Sequence, residues 1–480
     1  MVGVGDSVAA YVHSLGLDAY VVGGAVRDEL LGLPPGELDF VVPGVGHAEL
    51  RAALEPHGRV EDLVVADQRI GVRLLPRDRV VRALQPAGIE FAPPRVERST
   101  GPARHDFEIV ADASISVAKD MERRDFTVNA IARRLATGEL LDPLGGRADL
   151  AKRLLRTTSQ TSFRDDPLRI VRGLRFVSQL GFDPDEDTER QMREWGPRIA
   201  YVSGERIGGG LASDGLGELS KLLLGAEPRK ALVLARDTNV LVHVLPELAP
   251  VIGFDQESRY HDLALDEHLF AVVQATADAA APLRVRLAAL LHDAGKPESA
   301  WRGADGRLHF YANTGLGKRS HEEIGAELVG AALSRLRYPT RLRAAVRRIV
   351  REHMFEVPAR QLPVRARRFL GRHGEATAFD LVAHRDADLR GKRSAEGTQT
   401  RAELARLDRF RRALEQERNG VYRLEHLAID GSDLVEAGWL PSPALGRALE
   451  HLLHEVIDEP ELNTRAWLLT EAERLLARPG

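Results

Sequence analysis

Residues 37 to 39 read Glu-Leu-Asp inside the stretch GGAVRDELLGLPPGELDFVV, Gly23 to Val42. Read as a strand, GELDFVV places side chains two apart on one face. Glu37, Asp39 and Val41 then share one side, and Leu38, Phe40 and Val42 share the other. Neighbouring carboxylates repel unless a cation sits between them. A pair of Mg²⁺ ions held this way can activate a hydroxyl and stabilise a leaving pyrophosphate. Gly23 and Gly24 permit close approach of a phosphate to the backbone, at the start of a helix carrying Arg27 and Asp28. The combination points to phosphoryl transfer rather than to a solvated acidic strand edge.

A second set of residues suits a different metal chemistry. LLHDAGKP puts His292 and Asp293 side by side, and His268, His321, His353 and Asp388 recur around them at gaps of 24, 29, 32 and 35 residues. Each gap is about the length of a helix pair, so returning helices could bring all six groups to one centre. Asp386 competes with Asp388 for the last position. Imidazoles and carboxylates suit Mn, Ni, Co, Fe or Zn better than Mg²⁺, and one or two such ions could hydrolyse a phosphate ester.

The elements that must carry these groups fall into two kinds. DAYVVGG and GELDFVV read as short strands around a helix, and RVVRAL and GIEFA as further β-rich stretches. PPRVERSTGPARHDFEIVADASIS, rich in Pro, Gly and charge, reads as a mobile loop. From about Leu150 the pattern is helical nearly to the end, as in RIVRGLRFVSQLGF and LRVRLAALLHDAG. SGERIGGGLASDGLGELSKLL, with its Gly-rich 208–217, reads as an insertion between helices. The expected organisation is α+β: a small N-terminal sheet domain over 1–150, a helical neck over 151–255, an α-helical metal domain over 256–420 and a helical tail over 421–480.

Composition narrows the class. A chain of 480 residues, 44% apolar and 29% charged, is expected to be globular and multidomain. The absence of cysteine excludes disulfides, thiolate zinc sites and cysteine nucleophiles. Without a signal-peptide pattern or a long apolar run, a cytoplasmic protein and no membrane partner are expected. The net charge of −4 argues against a surface that coats nucleic acid, although 60 of the 67 basic residues are arginine. TRAELARLDRFRRALEQERNG reads as a solvated helix laced with charge pairs; an RNA contact would use Arg406, Arg409 and Arg412.

The opening stretch resembles the nucleotidyltransferase motif of the class II CCA-adding enzymes and bacterial poly(A) polymerases. RRDFTVNAIA (Arg123 to Ala132) and LDPLGGRADL (Leu141 to Leu150) resemble that family's next motifs, and FRDDPLRIVRGLRF (Phe163 to Phe176) its nucleotide-selecting motif. LAIDGSDLVEAGWLPSPALGRALEHLL resembles the tail of members that carry a fused HD phosphohydrolase domain, whose pattern the histidine set matches. The resemblance implies nucleotide contacts from Arg124, Asp125, Asn129, Asp166, Arg169, Arg172 and Arg175, and a third carboxylate for which Glu90 is the candidate. It implies tRNA, CTP and ATP as partners, Mg²⁺ at the polymerase site, and addition of C, C and A to tRNA 3′ ends. Removal of terminal or 2′,3′-cyclic phosphates is implied for the HD site.

Asp166 and Arg169, three apart on a helix, would share a face. The Asp could accept from the exocyclic amine of C or A while the Arg donates to the adjacent ring nitrogen; U and G present the opposite pattern. Glu37 departs from the family's usual Asp-x-Asp. That leaves two rivals: a poly(A) polymerase or partial (CC- or A-) adding enzyme, and an HD phosphohydrolase that binds RNA beside a weakened polymerase site.

Overall fold

The computed structural model describes residues 4–34, 36–65, 68–99, 107–209, 215–257, 263–392 and 397–477. The chain divides into two compact units, Met1–Ala249 and Pro250–Gly480. No helix among the described residues is long and apolar enough to cross a membrane.

Unit 1 is built on a sheet of β1 (Tyr20–Val22), β2 (Asp39–Val41), β3 (Gly58–Val65), β4 (Gln68–Pro76), β5 (Ile89–Ala92), β8 (Ala132–Arg134) and β9 (Leu140–Leu141), ordered β3-β4-β5-β2-β1-β8-β9. Helix α1 (Gly24–Leu30) follows β1 directly. β2 lies antiparallel to β1 and parallel to β5, with Asp39 opposite Glu90 and Phe40 opposite Phe91. Side-chain alternation then sorts the faces. Phe40 stacks on Phe91 at 5.4 Å in the core, with Leu38 and Val42 also buried. Val41 packs under Val117 and Met121 of the helix Val117–Glu122. Glu37 lies just ahead of the strand rather than within it.

Two stretches fold differently from expectation. RVVRAL is a helix, Arg79–Leu84, not a strand. Asp78 caps it, accepting from the amides of Val80 and Val81 at 2.8 and 3.0 Å, and this local cap outweighs the β-propensity of the paired valines. The segment expected as a mobile loop instead holds a hairpin, β6 (Arg95–Ser99) with β7 (Phe107–Ala111), paired from Arg95↔Ala111 to Ser99↔Phe107. Residues 100–106 between them lie outside the described residues, as do 210–214 of the Gly-rich insertion.

The rest of unit 1 is helical around α2 (Leu168–Leu180), which buries Leu168, Val171, Leu174 and Val177 and ends at Gly181 in the left-handed conformation. Arg169, Arg172 and Arg175 recur along it at three-residue spacing.

Unit 2 packs α3 (Leu265–Asp278), α4 (Leu283–Leu291), α5 (His321–Arg335), α6 (Thr340–Glu352), α7 (Leu362–His373), α8 (Glu375–Arg390) and α9 (Thr398–Glu417). A separate apolar cluster, from Leu427 through Leu452 and Val456 to Leu468 and Ala472, forms the core of its last segment.

Candidate active sites

The sheet register sets Asp39 and Glu90 on adjacent strands with Glu37 just upstream, so three carboxylates face one region. The Asp39 carboxyl is pushed up to about 6, first by the protein packed around it and then by the negative charge of Glu90, with Glu37 adding to it and Arg124 opposing. Glu90 is also held by Arg73, whose Nε donates to it at 3.2 Å. Gly23 has φ 76°, ψ −135°, and a Cβ there would stand 2.8 Å from Arg124 Nη1, so only glycine fits this turn. Asp120, fully buried, anchors Arg124 from four residues upstream at 3.3 Å.

A buried polar chain runs from α1 to α2. Arg27 donates to Asp28 (Nε, 2.8 Å) and to the Asn129 side-chain carbonyl (2.7 Å), and Asn129 donates to Asp125 at 2.9 Å. Arg172 Nε reaches the other Asp125 oxygen at 3.0 Å, and Arg172 and Arg175 share Glu218 at 3.2 and 3.0 Å. Burial alone would raise the Asp125 carboxyl, but the charge of Arg172, with Asn129 and Arg169 behind it, brings it down to about 2. Arg27, Arg172 and Arg175 crowd one ring, their guanidinium carbons 5.0, 5.9 and 4.4 Å from the centre of Phe176. Burial and these neighbouring cations push Arg175 down to about 10.

Asp166 and Arg169 do not form the expected helical pair. Asp166 is extended (φ −137°, ψ 99°) and precedes Pro167, so α2 begins only after it. Its carboxylate accepts from Leu168 N at 3.1 Å and from Arg206 Nη2 at 3.1 Å. Arg169 instead donates to the backbone carbonyls of Arg123 and Arg124 at 2.7 and 3.3 Å and to the Ser162 hydroxyl at 3.1 Å. Arg206 and Glu218, both in the glycine-interrupted segment, carry no sequence signal beyond their charge.

In unit 2, the six predicted groups converge as two buried sets, His268–His292–Asp388 and Asp293–His321–His353, the ligand atoms in each lying within 4.8 Å of one another. No other such group occurs among the described residues, the Glu37–Asp39–Glu90 set included. The histidines come from helix ends as well as interiors: His292 and His353 close α4 and α6, and His321 opens α5 after the Ser320 cap. In every case Nδ1 is turned to a backbone carbonyl: Gly391 (3.4 Å), Ala289 (3.0 Å), Phe310 (3.2 Å) and Val350 (2.7 Å) for His268, His292, His321 and His353. Nε2 therefore faces inward, to Asp388 at 3.2 Å from His268 and to Asp293 at 3.2 Å from His292. Burial holds His292 and His321 neutral, and although burial opposes it, neighbouring cations and imidazoles keep Asp293 and Asp388 well below the usual carboxylate range. Neutral imidazoles and ionised carboxylates are the states that bind a metal. Asp386 faces away and pairs with Arg390 at 2.6 Å.

His384 was not anticipated. It is fully buried, neither ring nitrogen has a hydrogen-bond partner, and its ring lies 4.8 Å from His292 and 5.7 Å from His353. Burial, then the neighbouring histidines, push it well below its ordinary value. Its position four residues before Asp388, one turn up the same face of α8, was the available signal. Lys296 joins the set through Asp293 at 2.7 Å.

Comparison with known families places residues 19–156 in the poly(A) polymerase head domain, 181–252 in the probable RNA-binding region of that polymerase and 265–388 in the HD domain. This defines a nucleotidyltransferase that carries an HD domain, and both domains imply divalent metal use. Among curated relatives, the multifunctional CCA protein of Nitrosococcus oceani is 33% identical over 72% of this chain and 77% of its own length, and that of Ralstonia nicotianae 34% over 70% and 72%. The Xylella fastidiosa protein is 36% identical over 59% of this chain, with 65% of its own length matched. The chain belongs to the multifunctional CCA protein family. Its fold matches the Bacillus stearothermophilus CCA-adding enzyme in complex with CTP (TM-score 0.64, 23% identity, 98% of this chain and 96% of that one) and the Thermotoga maritima enzyme complexed with tRNA (TM-score 0.55, 20% identity, 98% and 94%).

Proposed function

We propose that unit 1 adds C, C and A to tRNA 3′ ends from CTP and ATP without a template, and that the HD site hydrolyses terminal or 2′,3′-cyclic phosphates on RNA ends. The observation that carries the first activity is the pairing of Asp39 with Glu90 beside Glu37, where burial and then the charge of Glu90 lift Asp39 to about 6. Oxygen donors carrying excess negative charge fit Mg²⁺. When bound there, Mg²⁺ lowers the pKa of the attacking 3′-hydroxyl and neutralises charge on the departing pyrophosphate. The 3′-oxygen attacks the α-phosphate in line and pyrophosphate leaves. Arg27, Arg172 and Arg175 hold the triphosphate, and Gly23 lets the backbone approach it. Asp166 accepts from the base amine once it releases Arg206, and Arg169 donates to the ring nitrogen once it turns from the carbonyls of Arg123 and Arg124.

His268, His292, Asp388, Asp293, His321 and His353, with His384 beside them, fit one or two transition-metal ions (Mn, Ni, Co, Fe or Zn). Such ions supply an activated water and polarise the phosphate oxygens. Lys296 balances the charge of Asp293 and positions it.

The deciding experiment incubates the purified protein and Mg²⁺ with labelled tRNA lacking its 3′ end and with each nucleoside triphosphate, singly and combined. Addition of C, C and A with U and G refused is expected. A long A tail would make it a poly(A) polymerase. No extension, with phosphatase activity abolished by His292→Ala, would leave the HD site as the working one.

A further inference from the structure

Unit 2 holds a second groove beside the metal pocket. The cavity of about 760 Å³ that holds His292, Asp293 and His353 is joined, through Glu322 and Met354 that line both, to a groove of about 990 Å³. Five exposed arginines line that groove: Arg351 at the end of α6, Arg360 in the following loop, and Arg365, Arg368 and Arg372 on α7. The α7 set, spaced three and four apart, lies on one helix face. Among the described residues Arg368 is tied to Asp458 at 2.7 Å, while Arg351, Arg360, Arg365 and Arg372 make no ion pair. Three carboxylates line it as well: Glu352 pairs with Arg348, Glu322 lies beside His321 at the junction with the metal pocket, and Glu356 makes no ion pair among the described residues. Half-buried Phe355 and Phe369, their rings 5.0 Å apart, floor the groove, and Met354 is 56% exposed at its junction with the metal pocket.

Five arginines against three carboxylates, four of those arginines outside any ion pair and set over an aromatic floor, fit a single-stranded nucleic acid: phosphates on arginine, bases against rings. A small anion would need one or two of these arginines, not a row that spans a loop and about two helical turns. We propose that this groove binds the RNA strand whose end enters the HD pocket, with successive phosphates on Arg351, Arg360, Arg365 and Arg372. The inference rests on the phosphohydrolase reading of that pocket and gives it a polymeric substrate rather than a mononucleotide.

The test compares the full-length protein with an Arg360→Gln/Arg365→Gln/Arg372→Gln variant and with Arg365→Glu/Arg372→Glu, each checked for an unchanged melting temperature. Binding of a labelled single-stranded oligoribonucleotide ending in a 2′,3′-cyclic phosphate is followed by fluorescence anisotropy against KCl. Each phosphate contact contributes about 0.7 to the salt slope. The triple variant should therefore lose about 2 units of slope, and its affinity should change about 20-fold less than wild type between about 50 and 200 mM salt. Hydrolysis supplies a second readout: KM for the oligonucleotide should rise while kcat/KM for bis(p-nitrophenyl) phosphate holds. Equal slopes and affinities would overturn the proposal, and so would parallel losses on both substrates, which would mean that the arginines act through the metal pocket. If the wild type hydrolysed neither substrate, the phosphohydrolase reading would fall, and the salt slopes would still decide whether the groove binds RNA.

Discussion

Removing the charge of Asp125 gives a direct measure of the polar chain that joins α1 to α2. Asp125 accepts from the Phe126 amide and Asn129 through one oxygen and from Arg172 through the other, all within 2.9 to 3.0 Å. Its carboxyl lies near 2 against an ordinary 3.8. A depression of almost two units corresponds to about 2 to 3 kcal/mol of stability, at or below the lower edge of the roughly 3–5 kcal/mol expected when one partner of a buried pair is deleted, as suits an Arg172 that keeps Glu218. Asp125→Asn should therefore destabilise unit 1 by about 2 to 3 kcal/mol at pH 7. Trp195 is the only tryptophan in unit 1, so in a background with Trp301, Trp439 and Trp467 replaced by phenylalanine its fluorescence follows urea unfolding of that unit alone. Because the folded pKa is depressed, the stabilisation is complete above the unfolded value near 3.8 and is lost as pH falls through about 2. The difference between the proteins should thus be constant from pH 7 to about 5 and shrink below about 4. Adding Arg172→Met to Asp125→Asn should recover part of the loss, because no uncompensated cation remains buried. A difference under about 1 kcal/mol at pH 7, or one that grows on acidification, would refute the argument.

Three further outcomes follow from the geometry. Gly23→Ala forces a Cβ onto Arg124 at a positive φ, so nucleotide incorporation should drop at least about tenfold, with a strain cost of roughly 1–3 kcal/mol in urea unfolding; near-normal turnover would show that the turn is not held tightly. Glu37→Asp should alter single-turnover addition by less than about tenfold, since Glu37 already contributes charge at Asp39, whereas a hundredfold activation would mark Glu37 as a decayed ligand. His384→Ala should weaken divalent-metal affinity at the HD site by about 10- to 100-fold, read by metal content after dialysis against a graded chelator, and unchanged content would make the residue a packing element.

How much of this was legible in the sequence depended on whether periodicity alone decided the matter. The alternation in GELDFVV placed Leu38, Phe40 and Val42 on the core side, and the long helical runs set the α+β division. The spacing of the histidines foretold helices returning to one centre, although Asp386 and Asp388 could not be separated until α8 showed one facing Arg390 and the other facing His268. RVVRAL misled because its β-branched pair is read locally, while Asp78 immediately before it supplies a helix cap. The hairpin at Arg95–Ala111 was hidden by the Pro, Gly and charge around it, yet RVERS and FEIVA are strand-like by themselves. For Asp166 the contrary signal was in plain view: the following proline forces an extended residue and excludes the helical spacing argument. Arg206 lies 40 residues from Asp166, and Glu218 lies 46 from Arg172 and 43 from Arg175; no local pattern announces contacts of that range.

Asp39 and Glu90 on the sheet, with Glu37 just ahead of it, also bear on how robust unit 1 is by itself. Asp39 resists ionisation in the folded chain, so at pH values above about 6 the native state bears a cost that the unfolded chain escapes, and acidification through that value relieves it. Asp39 is thus held where burial and the charge of Glu90 both disfavour its ionised form, and a cation that settled beside it would act as a fastener. Selection for a tougher protein and selection for a faster one would pull on these positions in opposite directions.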